Sequence, residues 1–524
     1  MPSFTIFIKF LILIIFMLII MHEIVMGFND VPCAAKEIYN RSVICVCNAT
    51  YCDTIIREEP DSGFFMSYVS SEAGLRFNKE SGYLKSYSDG YDSSTVLVFD
   101  PTITYQTIQG FGGAITDSVG INWNNLKDPR LKQHLIDSYY GATGLEYNMM
   151  RVPMGACDFS LRNYTYNDLP EGDKELTNFT LAPEDYQYKL PFIKACFQAS
   201  RVPVNIISSL WSAPTWMKTN HDFAGVSYIK EEFFKTLAIY FKKFVQEYNK
   251  EGVPIWGMTV TNEPTFSILY LNNNDDLGWT VPGMAEWIVN YWEPMMREYD
   301  PSIKLIGVDD QRYTLPVLFK LMVARRPEVA KALDGIAVHF YFDDVTPPEI
   351  ITRTMANYPD LFVISTEASV GVKLEHPVDL GSWERAEKYA RDIIEDLNFN
   401  IIGWIDWNLC LNETGGPHWV ETGLDAAVIV KADEGVFYKQ PMFYIMGHFS
   451  KFIPRGSLRI KSEEENSCSV TIQHVAFLTP HNTIVIVLFN DKNFERYVIL
   501  KINGKQAEVI LQPKSITTVE FHNE

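Results

Sequence analysis

The stretch PIWGMTVTNEP, residues 254–264, governs how the rest of the chain is read. A proline opens a mostly apolar run that ends abruptly in Thr261, Asn262, Glu263 and Pro264. That pattern reads as a buried parallel strand with a polar, kinked tip. In a (β/α)8 barrel the carboxyl ends of the strands carry the chemistry, so Glu263, beside an amide and stiffened by the following proline, is a candidate acid. Asn-Glu-Pro is equally an ordinary helix start, with Asn as cap and Pro in the first turn. The surrounding sequence has to separate the two.

Working outward, apolar runs at residues 107–111, 147–152, 204–210, 255–260, 304–308, 335–340, 362–366 and 401–407 make eight candidate strands. Helical patterns lie between them. The clearest is 231–250, with Phe234, Leu237, Phe241, Phe244 and Tyr248 on one stripe; residues 286–299, 315–333, 383–397 and 442–452 fill similar slots. Eight such repeats over roughly 350 residues fit an α/β TIM barrel with insertions, spanning 105–454, better than an open doubly wound sheet. No glycine-rich phosphate loop follows any strand, which weighs against nucleotide binding. Residues 61–104 and 455–524 are instead strand-rich, and the two flanks together suggest one β-sandwich. Within the second flank, Glu463, Glu464 and Glu465 read as a solvated loop.

The 524 residues are 47% hydrophobic, ample for a large core, and their net charge of −20 argues against a nucleic-acid partner. A sequence pI near 5.0 suits an acidic compartment and suits ordinary solubility equally well. Lys9 followed by FLILIIFMLIIM at 10–21 has the length of a signal h-region, giving residues 1–27 as a signal peptide cut near Gly27. A retained signal anchor is the alternative. Four of the eight cysteines, Cys33, Cys45, Cys47 and Cys52, cluster in residues 28–60 as a small stapled β module. Two disulfides of open connectivity are favoured over a zinc site, because no His lies among them. Cys157, Cys196, Cys410 and Cys468 read as buried free thiols. Asn40, Asn48, Asn163, Asn178 and Asn412 begin glycosylation sequons.

The strand tips form a biased set: Asp117, Arg151, Asp158, Trp211, Asn262, Glu263, Asp309, Asp310, His339, Tyr341, Glu367, Asp406, Trp407 and Asn408. Carboxylates and aromatics converging on one mouth suit a carbohydrate, whose hydroxyls need acceptors and whose C–H face needs flat apolar surfaces. Glu263 and Glu367 end the fourth and seventh strands and are the candidate catalytic pair of a glycosidase. Glu367 alone also fits a helix-entry carboxylate. If Arg151 and the Tyr341 hydroxyl reach Glu367 they keep it ionised as nucleophile, leaving Glu263 the acid. Asn262 is placed to bond a sugar 2-hydroxyl. His339 and Trp407 are read as pocket walls.

Longer motifs carry a resemblance. VICVCNATYC (43–52), GFGGAITD (110–117), MRVPMGACDFSLRNYTY (150–166), WSAPTWMKTN (211–220), NEP (262–264), LGSWERA (380–386), GWIDWNLCLN (403–412) and FYKQPMFYIMGHFSKFIP (437–454) occur in this order. With them the chain resembles the glucosylceramidases, or acid β-glucosidases, clan-A retaining glycoside hydrolases, over essentially its whole mature length. The resemblance implies a barrel plus β-sandwich that removes glucose from glucosylceramide in membranes, with Glu263 as acid/base and Glu367 as nucleophile. It implies that Asp158, Trp211, Asn262 and Trp407 line the glucose subsite, and that Cys33 pairs with Cys45 and Cys47 with Cys52. It further implies lysosomal residence, help from a saposin-type activator and anionic lipid, and no metal or organic cofactor. Thr261 stands where the family more often has an acid, Phe340 where it has Trp, and Ser369 where it has Cys. A relative acting on another β-glycoside and an inactive glycolipid-binding homologue are the competing readings. The presence of both carboxylates counts against the second.

Overall fold

The structure, a computed structural model, describes residues 30–87, 95–269, 275, 277–372, 375–420, 423–465 and 471–524. The expected signal segment and Cys468 lie outside the described residues.

Eight parallel strands close into a barrel. In chain order they are β1 (Gly110–Ala114), β2 (Met149–Met154), β3 (Asn205–Leu210), β4 (Gly257–Thr259), β5 (Lys304–Gln311), β6 (Gly335–His339), β7 (Phe362–Glu367) and β8 (Ile401–Asn408). β8 pairs back onto β1, so no edge is left. Every expected strand is present, shifted by at most a few residues, and β4 is trimmed to three. The lumen is filled by Met149, Ile207, Ile306, Ala337, Ile364 and Ile405 from six different strands, a packed layer and not a channel. β1 presses close to β2: a Cβ on Gly112 would sit 2.1 Å from the Met149 carbonyl oxygen, so the approach requires glycine.

The periodic stripe of residues 231–250 forms as expected. A 3-10 turn (Glu231–Phe233) leads into the helix Phe234–Lys250, whose five stripe residues are all buried. The expected helix at 286–299 is broken into Val281–Trp287, a π turn Ile288–Trp292 and Glu293–Tyr299. Pro294 lacks the N–H that a regular turn would use, and the widened turn absorbs that loss. Likewise 315–333 is not one helix. It runs as a π turn Leu315–Phe319, then Lys320–Arg325, and restarts at Val329–Ala332; Arg326 is pushed to φ −138, ψ 95 by the proline after it.

A ten-stranded sheet combines both strand-rich flanks. Phe64–Ser71 pairs with Ser515–His522, and Thr95–Thr107 lies between Leu458–Glu465 and Arg496–Ile502. Leu97, Phe99, Ile486, Leu488, Val498 and Leu500 lie in its own core, making a β-sandwich beside the barrel. Glu463, Glu464 and Glu465 are not a loop: they pair with Val98, Leu97 and Val96. The ladder needs only backbone groups, and Lys461 and Lys501 neutralise Glu463 and Glu465.

Cys33–Cys45 and Cys47–Cys52 are disulfides. They staple Ala35–Lys36 and Ile44–Asn48 into a five-stranded sheet whose other members, Cys410–Asn412, Val428–Lys431 and Val436–Lys439, follow β8. Cys157, Cys196 and Cys410 are free and buried. Of the sequons, Asn40 and Asn178 are exposed, while Asn48, Asn163 and Asn412 are half-buried. Asn48 and Asn412 also accept hydrogen bonds through Oδ1 from the N–H groups of Thr50 and Thr414. Among the described residues no helix is long and apolar enough to cross a membrane.

Candidate active site

Glu263 and Glu367 project into the mouth from the tips of β4 and β7. A carboxylate oxygen of each and a ring nitrogen of His339 all lie within 4.8 Å of one another. The two acids nevertheless have different surroundings. Arg151 donates Nη1 to Glu367 Oε2, and the Tyr341 hydroxyl donates to Glu367 Oε1 at 2.6 Å. Glu263 instead accepts on a single oxygen: Gln311 Nε2 donates to Oε1 at 2.6 Å, and His339 Nδ1 lies 2.9 Å from the same atom. Oε2 is therefore the oxygen available to carry a transferable proton. Burial pushes the Glu263 carboxyl up, to about 7; His339 opposes this, and Glu367 and Asp310 reinforce it.

Beneath both acids lies Asp309, fully buried. Its Oδ2 accepts from Arg151 Nη2 at 2.8 Å, Ser209 Oγ at 2.6 Å and Thr259 Oγ1 at 2.7 Å. Its Oδ1 accepts from Thr366 Oγ1 at 2.7 Å and lies 3.2 Å from His339 Nε2. Burial alone would raise this carboxyl, but Arg151 and His339 outweigh it and hold Asp309 far below the usual carboxylate range. Burial likewise opposes charge on His339, and Glu367, Asp309 and Glu263 outweigh it, lifting the imidazole to about 10. Each ring nitrogen thus faces a carboxylate oxygen, Nδ1 that of Glu263 and Nε2 that of Asp309.

The backbone pays locally for this arrangement. Val308 and Asp309 have φ 70 and 56, and the β5–β6 register shifts between Val308 and Asp310. A β-branched residue in the left-handed region is an outlier, costing about 1–3 kcal/mol. The bulge lets three consecutive side chains serve one site: Asp309 reaches Arg151, Asp310 accepts from Thr265 N–H at 2.8 Å, and Gln311 reaches Glu263. Glu263 is itself at φ 42, so Asn262-Glu263-Pro264 does not continue straight into a helix.

The other expected site residues divide by burial. Arg151, expected to reach Glu367, does so from a fully buried position and also donates to Asn262. His339, expected as a pocket wall, is also fully buried, with both nitrogens on carboxylates. Both also contact the buried Asp309. Trp211 and Trp407 stack at 5.1 Å with an interplanar angle of 17°, and the Arg151 guanidinium lies over both rings. Asn262 accepts from Arg151 Nη2 on Oδ1 at 2.7 Å, which leaves its amide N–H groups as donors. Asp158 is half-buried on the loop after β2, near enough to Tyr341 to raise that hydroxyl further. Thr261 is buried and donates Oγ1 to the Leu210 carbonyl at 2.9 Å. Asp309 stood among the strand tips without a role, and Gln311 was missed as a site residue. The doublet Asp309-Asp310 at a strand tip was the available signal for the first; nothing local marks Gln311.

A barrel mouth with paired carboxylates is common to many glycosidases, and comparison with known proteins narrows it. Residues 108–453 match the glycosyl hydrolase family 30 TIM-barrel domain, and residues 456–519 match the glycosyl hydrolase family 30 beta sandwich domain. The chain belongs to glycosyl hydrolase family 30. Among family relatives, the lysosomal acid glucosylceramidase of Mus musculus is 39% identical over 471 residues, 88% of this chain and 90% of the mouse protein. Putative glucosylceramidase 3 of Caenorhabditis elegans is 36% identical, covering 91% of this chain and 92% of its own length. Among solved structures, SrfJ from Salmonella typhimurium shares the fold with a TM-score of 0.80 at 23% identity, over 88% of this chain and 100% of that one. Membership of family 30 makes this chain a glycoside hydrolase, and both expected domains are those of the family.

Proposed function

We propose that the chain is a retaining β-glucosidase that hydrolyses glucosylceramide to glucose and ceramide. The reading is carried by one observation: two carboxylates with an oxygen of each within 4.8 Å, one bonded by Arg151 and Tyr341, the other pushed up by burial. Retaining glycosidases need a separation of about 5–5.5 Å, against about 6.5–9.5 Å for inverting ones. Glu367 attacks the anomeric carbon from the α face. The bond to the ceramide oxygen breaks, and that oxygen takes the proton from Glu263 Oε2. Glu263, now a carboxylate, removes a proton from water, which opens the glucosyl ester from the β face and releases Glu367.

In this reading Asn262 donates to the sugar 2-hydroxyl, Asp158 accepts from a sugar hydroxyl, and Trp211 and Trp407 border the glucose subsite. Gln311 and His339 aim Glu263; Arg151 and Tyr341 hold Glu367 in place. The names of the mouse and nematode relatives support glucosylceramide as substrate. The lysosome as site of action, removal of residues 1–27 as a signal, glycans at exposed Asn40 and Asn178, and assistance from a saposin-type activator on anionic lipid belong to the same proposal.

The test is glucose release from glucosylceramide at acidic pH by the wild type, Glu263→Gln and Glu367→Gly. Full activity in Glu367→Gly would sink the mechanism. On an activated β-glucoside, azide should give α-glucosyl azide with Glu367→Gly, because it replaces the nucleophile on the α face. A variant lacking the acid/base should give the β-azide, and the reverse pattern would exchange the two roles.

A further inference from the structure

Asp117 ends the motif GFGGAITD and takes no part in the chemistry above. It is buried at the start of the helix Asp117–Asn125, where Thr116 is the cap. Facing it is Lys189, also fully buried, on the segment beyond the loop that carries Asp158. Lys189 Nζ lies 3.9 Å from Asp117 and 2.9 Å from Asp185, and donates to the carbonyl oxygens of Pro153 at 3.3 Å and Gly155 at 3.2 Å. These carbonyls lie where the chain leaves β2.

The loop from Gly155 to Tyr166 then returns on itself. Ala156 N–H donates to the Tyr164 carbonyl at 3.1 Å, and a Cβ on Gly155, whose φ is +84, would sit 3.0 Å from that oxygen. From the far limb the Tyr164 hydroxyl donates to Asp117 at 3.0 Å, and from the near limb Ser160 also bonds Asp117. Ser118 N–H and Oγ both donate to the Phe159 carbonyl, at 3.0 and 2.8 Å. Asp158 therefore sits on a loop whose start, crest and return are all tied to one buried ion pair.

We infer that the Lys189–Asp117 pair is a specificity-determining positioning element: it fixes the loop so that Asp158 meets one particular sugar hydroxyl. The inference rests on the reading of Asp158 as a sugar-binding residue. A buried ion pair that served stability alone would lower activity on every substrate equally. A positioning pair alters discrimination at one hydroxyl.

The experiment measures kcat and KM for 4-nitrophenyl β-glucoside and its 2-, 3-, 4- and 6-deoxy analogues with the wild type, Asp158→Asn, Tyr164→Phe and Lys189→Met. The hydroxyl whose removal costs the wild type but not Asp158→Asn is the one Asp158 binds. Tyr164→Phe removes one hydroxyl and keeps the buried charges paired, so it remains usable if Lys189→Met does not fold. The expected result is that Tyr164→Phe shrinks the deoxy penalty at that same hydroxyl by about three- to ten-fold, chiefly through KM, and leaves the other positions unchanged. Lys189→Met should shrink it further. An unaltered penalty, or an equal fall on all five substrates, overturns the inference. If Asp158→Asn erases no penalty, the inference falls with its premise, whereas wild-type glucoside turnover separately reports on the proposed activity.

Discussion

His339 holds Nδ1 2.9 Å from Glu263 Oε1 while its Nε2 lies 3.2 Å from Asp309 Oδ1, so one ring links the proposed acid to the buried carboxylate. Burial raises Glu263 to about 7 and His339 pulls it down. Activity in kcat/KM should therefore fall as pH rises through about 7. In His339→Gln the restraint is gone and the falling limb should move to higher pH. An unmoved or acid-shifted limb would contradict this. The same shift acts on stability: a raised carboxyl stabilises the fold fully below its ordinary value of 4.5, and the contribution is lost as pH rises through about 7. Urea midpoints at pH 5 and 8 in wild type and Glu263→Gln measure it, the difference between the two pH values being smaller in the variant.

Asp309→Asn should be costly without any backbone reason, since Asn tolerates φ 56 well. It strips a buried charge from between Arg151 and His339. Loss of one partner from such a network costs about 3–5 kcal/mol. Denaturant unfolding should show that loss together with a kcat fall of at least about a hundred-fold. Wild-type kcat in this variant would mean that Asp309 serves neither acid.

The separation of the two carboxylates fixes the stereochemical outcome. NMR of the first minutes of hydrolysis of an activated β-glucoside should show β-glucose before mutarotation. α-Glucose appearing first would mean direct attack by water, as in inverting enzymes, whose carboxylates stand about 6.5–9.5 Å apart, and would overturn the assignment of Glu367 as nucleophile.

Replacing Cys33 and Cys45 together by Ser should lower stability by about 2–4 kcal/mol, because the loop they close is then free in the unfolded chain. The catalytic constants should change little, since this staple lies in the five-stranded sheet and not at the mouth. Thermal melts and kcat/KM on the same preparation check both statements.

The barrel was legible because buried parallel strands are nearly continuous apolar runs, and all eight stood out. Helices interrupted by Pro294 and Pro327 were less so. Periodicity reports which face is buried, and it does not register where one N–H is lost. At the site, residue types could be read at the strand tips, and Glu263, Glu367, Arg151 and Tyr341 meet there. Depth was not legible: Arg151, His339 and Trp407 are all buried, and a strand-end position says nothing of how deep a long side chain lies. Gln311 could not be found at all. Its reach to Glu263 depends on a bulge at Val308 and Asp309, two residues with no glycine or asparagine to announce a left-handed backbone.

The stapled strand Ile44–Asn48 pairs with Val436–Lys439. A chain emerging from the ribosome in sequence order therefore exposes that strand's edge through synthesis of the whole barrel. The two disulfides, spanning 12 and 5 residues, need no such wait. They close locally and hold the N-terminal strands in shape for a partner made almost four hundred residues later, which makes this sheet a late, long-range step in folding.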